Sequence, residues 1–327
     1  MGKKDLIAKQ YLSQNDIFAD AFNYYLYRGE QVIRPEDLEE KDPEESALIR
    51  KLGRSFVKSG MRDVLKSCTV RSTPEATFVL LGIETQSKVH YTMPVRDLLY
   101  DVLNYVGQID EIRAQKDGKT EKTIDVADSF MKGEHLHPVI TLCICFDVEK
   151  WDAPTSLMEM LDVPNPRLLP FLNDYKLHLI SADGIDGFSK FSSELGILLE
   201  FIKYSYDKKK LNSIMKARGE SLEIKSDTLN MINTFSSARI PVKQGQGGTV
   251  NMGNAWQEII EDERKEAARE AAARGEKRGK KLGEKCGADM LAKLLKLLEP
   301  GSPEFEKALN GTYQVRQRLY KKYNITE

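Results

Sequence analysis

From Asp16 to Tyr27 apolar residues recur at helical spacing. Ile17, Phe18, Phe22, Tyr25 and Leu26 form the face, Asn15 stands where a cap belongs and Gly29 ends the segment. Arg34 to Glu45 is acidic and broken by Pro35 and Pro43, which reads as a connecting loop with room for one helical turn. Two extended runs follow. Asp63 to Arg71 carries Val64, Leu65, Cys68, Thr69 and Val70. Thr77 to Glu84 is apolar at consecutive positions, as in a strand covered on both faces. Ser72-Thr-Pro-Glu between them is a turn signal.

Pro94 opens a helix to about Val106 with a predicted buried stripe of Leu98, Leu99, Val102, Leu103 and Val106. Gln108 to Lys132 is polar and reads mainly as loop. Pro138 to Phe146 predicts a third strand and Lys176 to Ile180 a fourth. Short elements are expected at Met158–Leu161 and Leu168–Leu172, and Phe188 to Tyr204 predicts another amphipathic helix. This order predicts an α/β core with a mixed sheet flanked by helices. After Tyr206 the composition changes. Asp207 to Ile240 is polar and mostly helical, and residues 244–248 form a Gly/Gln-rich break. Trp256 to Gly283 is charged and alanine-rich. The expected organisation is therefore a domain over residues 1–206 and a helical extension over 207–327. In the extension Gly275, Gly279, Gly283 and Gly287 share one helical side, and Leu291, Leu294, Leu295 and Leu298 form an apolar stripe. Both features suit a partner surface, so a homo-oligomer through the C-terminal helices is expected.

The 327 residues are 41% hydrophobic and 30% charged, enough apolar material for a core and too much for wholesale disorder. Lys plus Arg number 49 against 50 Asp plus Glu, so any nucleic-acid contact must use a local patch. One such patch lies between Arg274 and Lys285, with six Lys or Arg against two Glu. The longest apolar run, Val139 to Phe146, is far short of the ~20 residues of a membrane helix. The start lacks the apolar stretch of a secretion signal, and Leu6 stands where a myristoylation motif wants Ser or Thr. Cys143 and Cys145 alternate within a strand-like run, so both should face one side of a sheet. Four cysteines in all fit buried thiols in a reducing cytoplasm.

Candidate chemistry arises in the hairpin. Folded about Thr73–Pro74, it sets opposite each other residues whose numbers sum to 147, so Asp63 faces Glu84. Directly opposed residues have Cβ atoms ~4.5–5.5 Å apart. Two carboxylates that close repel unless a cation lies between them, and Mg²⁺ or Mn²⁺ is the natural mediator. Gln86 shares the Glu84 face. His135 and His137 are two further candidate ligands, and Cys143 with His178 a candidate thiol pair. Both are weaker constellations, because the next strand absorbs the cysteine.

Asp63-Val, then Ile83-Glu-Thr-Gln86, then a helix carrying Arg96 and Tyr100, resembles the PD-(D/E)XK nuclease superfamily, and within it the Rpn family of recombination-promoting nucleases, also described as transposases. Residues 15–23 (Asn-Asp-Ile-Phe-Ala-Asp-Ala-Phe-Asn), 93–100 (Met-Pro-Val-Arg-Asp-Leu-Leu-Tyr) and 138–142 (Pro-Val-Ile-Thr-Leu) carry the same likeness, which spans residues 5 to 206. The resemblance implies a restriction-endonuclease-like core and Mg²⁺-dependent hydrolysis of DNA phosphodiesters. It implies Asp63 and Glu84 as metal ligands, with the Thr85 carbonyl completing the inner shell. Gln86 stands where the superfamily motif has lysine. Arg96 could supply the missing charge at the phosphate, and Tyr100, at i+4, a hydrogen bond. A further acid is implied on the N-terminal helix, where Asp16 and Asp20 both qualify.

Two other classes compete with a cytoplasmic DNA endonuclease. One is a non-catalytic DNA-binding or protein-interaction module on a degenerate nuclease core, which the glutamine at position 86 favours. The other is a self-associating scaffold with no DNA affinity.

Overall fold

A computed structural model describes residues 2–41, 63–70, 77–117, 130–219, 221–236, 238–241 and 248–325. The turn expected at Ser72–Glu75 and most of the break at 244–248 lie outside the described residues. The chain divides into two compact units, Met1–Trp256 and Gln257–Glu327.

The first unit opens with α1 (Lys3–Leu12) and α2 (Asn15–Tyr27). The helix α1 has no counterpart in the apolar pattern: it buries only Ala8, Tyr11 and Leu12. Gln14, not Asn15, is the N-cap residue of α2. The Asn15 side chain ties down two other segments instead, donating to the Pro35 carbonyl (2.9 Å) and accepting from Lys66 Nζ (2.5 Å). Arg28 ends α2 in the left-handed conformation, and Gly29 follows with φ +96°. A Cβ at Gly29 would meet the Lys190 carbonyl oxygen at 2.5 Å, so position 29 needs glycine on both counts.

The expected helical turn is a 3-10 turn at Pro35–Asp37. The strand β1 (Leu38–Lys41) then extends what the sequence presented as loop, because its Glu39 and Glu40 are exposed edge residues. Next come β2 (Val64–Val70), β3 (Thr77–Gln86), α3 (Met93–Asp117), β4 (Val139–Cys145) and β5 (His178–Ser181). The five strands form one sheet in the order β1-β2-β3-β4-β5. The β1–β2–β3 pairs are antiparallel and the β3–β4–β5 pairs parallel, with α3 as the β3–β4 crossover. The β2–β3 register runs from Val64↔Ile83 to Val70↔Thr77, and every pair sums to 147 as the hairpin geometry requires.

Alternation then sorts the side chains. Lys66, opposite Leu81, points to α1 and α2: its Nζ donates to the Ser13 carbonyl (2.7 Å) and lies 5.4 Å from the Phe18 ring centre. Glu84 points to α3 (Arg96, below), and so do Cys143 and Cys145, which share one buried cluster with Met93, Trp151 and Leu177. The helix α3 runs past the expected end at Val106, and its inner face is not the predicted one. Asp97, Tyr100, Asp101 and Leu103 are buried, whereas Leu99 and Val102 are exposed and Leu98 and Val106 half-buried.

The helix expected over Phe188–Tyr204 is a 3-10 turn followed by α4 (Leu195–Lys203), which buries Leu195, Leu198, Leu199, Phe201 and Ile202 completely. Then follow α5 (Lys208–Arg218), β6 (Glu223–Lys225), α6 (Ser226–Phe235) and β7 (Thr249–Asn251), which pairs antiparallel with β6. The described residues of 207–256, expected in the extension, belong to the first unit. The helix α6 lies against α1 and α4, and Thr228 Oγ1 donates to the Tyr11 hydroxyl (3.3 Å).

The helix α7 (Met252–Leu297, 46 residues) leads through the second unit to α8 (Pro303–Asn310) and α9 (Tyr313–Lys322). The leucine stripe finds its partners here. Leu294 and Leu298 are buried with Ala308, Leu319 and Tyr320 of the same chain. Among the described residues the glycine stripe meets nothing: a Cβ built at Gly275, Gly279, Gly283 or Gly287 has no atom within 4 Å. No described helix is long and apolar enough to cross a membrane.

A glycine in open helix costs about 1 kcal/mol against alanine. Gly279→Ala and Gly283→Ala should therefore each stabilise the second unit, by about 0.5–1 kcal/mol. Thermal melts followed by far-ultraviolet circular dichroism check this; a lowered melting temperature would mean that the glycines are packed.

Candidate active site

The end of β3 projects Glu84 and Gln86 toward α3 and Thr85 the other way. Glu84 is 3% exposed. Arg96 Nη2 donates to Glu84 Oε1 at 2.6 Å and lies 3.4 Å from the Tyr100 hydroxyl, and Gln86 Nε2 donates to the same Glu84 oxygen at 3.2 Å. Four of the residues singled out from sequence, Glu84, Gln86, Arg96 and Tyr100, thus form one hydrogen-bonded cluster. Burial alone would lower the Arg96 pKa, but Glu84, Tyr100 and Asp97 hold it above its usual value, so the guanidinium stays charged. Burial and the Glu84 charge push the Tyr100 hydroxyl up to about 12, so it stays protonated. The Arg96 side chain is 23% exposed and connects this otherwise covered cluster to solvent.

Asp63 stands one residue before the first paired position of β2. Its Oδ2 accepts from the Thr85 amide (2.8 Å) and from Thr85 Oγ1. Burial raises the Asp63 pKa, the Thr85 hydrogen bonds oppose that, and the Lys9 and Asp5 charges of α1 pull it in opposite directions. The backbone register is the expected one, but the two acids engage different partners: Asp63 turns to the Thr85 and α1 side, Glu84 to α3. One cation shared by both would meet Asp63 where Thr85 already holds Oδ2 and Glu84 where Arg96 already holds Oε1. Among the described residues no group of three or more His, Cys, Asp or Glu that could hold a metal ion is assembled.

The two candidate acids of α2 separate. Asp20 is buried, and its carboxylate accepts from Ser192 N (2.9 Å), Ser192 Oγ (3.0 Å), Ser193 N (2.9 Å) and Ser193 Oγ (2.5 Å), fixing the chain ahead of α4. Asp16 pairs with Lys225 (2.6 Å) and lines a cleft of about 620 Å³ with Ser192, Ser193 and Arg218. The described walls of that cleft include none of Asp63, Glu84, Gln86, Arg96 or Tyr100.

The weaker constellations come apart. Gln108 brackets the His137 backbone, accepting from its N–H (2.7 Å) and donating to its carbonyl (3.1 Å), while the His137 ring packs 4.6 Å from that of Phe78. Cys143 pairs in register with Leu179 and His178 with Leu142, so thiol and imidazole project from opposite sheet faces. Burial raises the Cys143 pKa well above an ordinary thiol, which leaves it inert at neutral pH.

Sequence reasoning passed over Asp97 and Asp101. Asp97 is fully buried and bears electrostatically on Arg96, Tyr100 and Cys143. Asp101 accepts from Thr141 Oγ1 (2.5 Å) and the Tyr175 hydroxyl (2.7 Å). Their i, i+4 spacing, each directly after Arg96 or Tyr100, was the available signal. No family model, curated protein or solved structure matches this chain.

Asp20→Ala strands the Ser192 and Ser193 donors and should destabilise the fold by about 2–4 kcal/mol. A denaturant titration checks this, and unchanged stability would free Asp20 for chemistry. Burial alone would raise the Asp16 pKa, but the Lys225 hydrogen bond and charge hold it below the model-peptide value of 3.8. The stability from this pair is therefore full above that value and lost as pH falls through the lowered one. Both side chains are 45% exposed, so the contribution is under about 1 kcal/mol. Asp16→Asn should flatten that acid limb in melts run from pH 5 downward.

Proposed function

We propose that this chain is a metal-dependent DNA endonuclease on a PD-(D/E)XK-type core, similar to the Rpn family and working in the cytoplasm, with recombination or mobile-element DNA as its setting. The observation that carries the reading is the β2–β3 register, which sets Asp63 beside Glu84-Thr85-Gln86 while α3 brings Arg96 and Tyr100 onto the same glutamate. The four cysteines are free thiols, in keeping with a reducing compartment. The open glycine side of α7 leaves room for a second chain, in keeping with self-association.

The donor set fits a hard divalent cation. Mg²⁺ takes oxygen ligands, commonly one or two carboxylates, and keeps several waters. Asp63, Glu84 and the Thr85 carbonyl are the residues that would hold it. When bound, such an ion supplies a water of lowered pKa and neutralises charge on the phosphate. Arg96, part-exposed and held cationic, binds a phosphate oxygen in place of the motif lysine. Tyr100 donates from its protonated hydroxyl, and Gln86 orients the Glu84 carboxylate.

A second reading, a non-catalytic DNA-binding or protein-interaction module, is favoured by the partners these two acids already have. Arg96 already occupies Glu84, and Thr85 already occupies Asp63. Supercoiled plasmid with Mg²⁺ or Mn²⁺ and EDTA controls separates the two. An enzyme nicks only with metal, and Asp63→Ala and Glu84→Gln each reduce nicking about a hundredfold or more while the protein stays folded. DNA retention without nicking, unchanged by either substitution, is the outcome for the module.

A further inference from the structure

Every residue of α7 from Arg274 to Lys285 is helical and exposed. At 3.6 residues per turn, Arg274, Lys277, Arg278, Lys281 and Lys285 fall at i, i+3, i+4, i+7 and i+11, within an arc of about 100°. Glu276 and Glu284 lie outside that arc, and Gly275, Gly279 and Gly283 occupy the opposite side. Arg274 pairs with Glu270 (2.8 Å). Lys277, Arg278, Lys281 and Lys285 make no ion pair among the described residues. Lys277–Lys281, Lys281–Lys285 and Arg274–Arg278 are like charges at i, i+4, each weakening the helix in isolation. A chain of near-zero net charge has thus gathered five cations on one face, where they repel until an anion meets them.

We infer that this stripe docks the phosphate backbone of duplex DNA. It is about 16 Å long, and a duplex presents on the order of ten phosphates over that length. The match is of charge and spacing, so the contact holds DNA without reading its sequence. The inference rests on the nuclease reading for its choice of polyanion: an enzyme that cuts DNA has to retain it, and the stripe offers a cationic surface for that.

The test is binding of a fluorescent 20-base-pair duplex to the full chain, by anisotropy across a salt series in EDTA, so that cleavage cannot enter. One variant is Lys277→Gln/Lys281→Gln/Lys285→Gln. The control, Arg264→Gln/Lys265→Gln/Arg269→Gln, removes the same charge from the same helix. With ~0.9 counterions released per phosphate contact, the stripe variant should lower the log–log salt slope by about 2–3 and weaken binding tenfold or more near ~0.1 M salt. The control should stay within about twofold of wild type. Equal losses in both variants, or an unchanged slope in the stripe variant, overturn the inference. A stripe variant that turns from dimer to monomer in solution with DNA affinity unchanged assigns the face to a second copy and also overturns it. Nicking is scored separately. Stripe-dependent binding without nicking sinks the nuclease alone, and nicking with an unaltered slope sinks the stripe alone.

Discussion

A carboxylate sealed beneath a helix must be met by donors or surrender its charge. Glu84 is such a group, and Arg96 meets it at 2.6 Å. Because β3 fixes Glu84 and α3 carries Arg96, the pair sets the rotation of the helix over the sheet. Residues four and five positions along follow Arg96 inward: Tyr100 to its hydrogen bond, Asp101 to Thr141 and Tyr175. The opposite side of the same helix, with Leu99 and Val102, is left outside. A polar layer thus lies where an apolar one would be expected.

That layer carries a cost as well as an orientation. Buried ion pairs gain little net stability, because desolvating both charges offsets their attraction. What they give here is position: a cation held part-exposed at the end of β3, next to a glutamate and a protonated tyrosine hydroxyl. The Asp63–Thr85 contact does the same on the other side of the strand. Asp20 shows the contrasting case. Its four hydrogen bonds fix the approach to α4, so an acid on the predicted helix face serves the fold instead of the cluster.

The second unit obeys a different balance. Its apolar contacts gather at Leu294 and Leu298 against α8 and α9. Upstream, every residue of α7 from Arg264 to Lys285 is exposed. Such a helix depends on i, i+4 pairs like Glu270–Arg274 and on whatever its charges meet in solution.

The sequence by itself determined the pairing of β2 with β3. A turn of known place plus a period of two leaves one register, and a slip would exchange the two faces. It likewise determined that Cys143 and Cys145 share a side, and that the leucines near residue 295 need cover. It misjudged α3, because counting apolar residues selects Leu99 and Val102, whereas the inward turn of Arg96, Tyr100 and Asp101 is decided by Glu84 on β3 and Thr141 on β4. The helix α1 and the edge strand β1 escaped notice because each buries too few apolar residues to leave a period. Which way Asp63 turns, and whether Asp16 or Asp20 is free, depends on Thr85, Ser192 and Lys225. These are neighbours brought from 22 to 209 positions away, and only the folded chain could supply them.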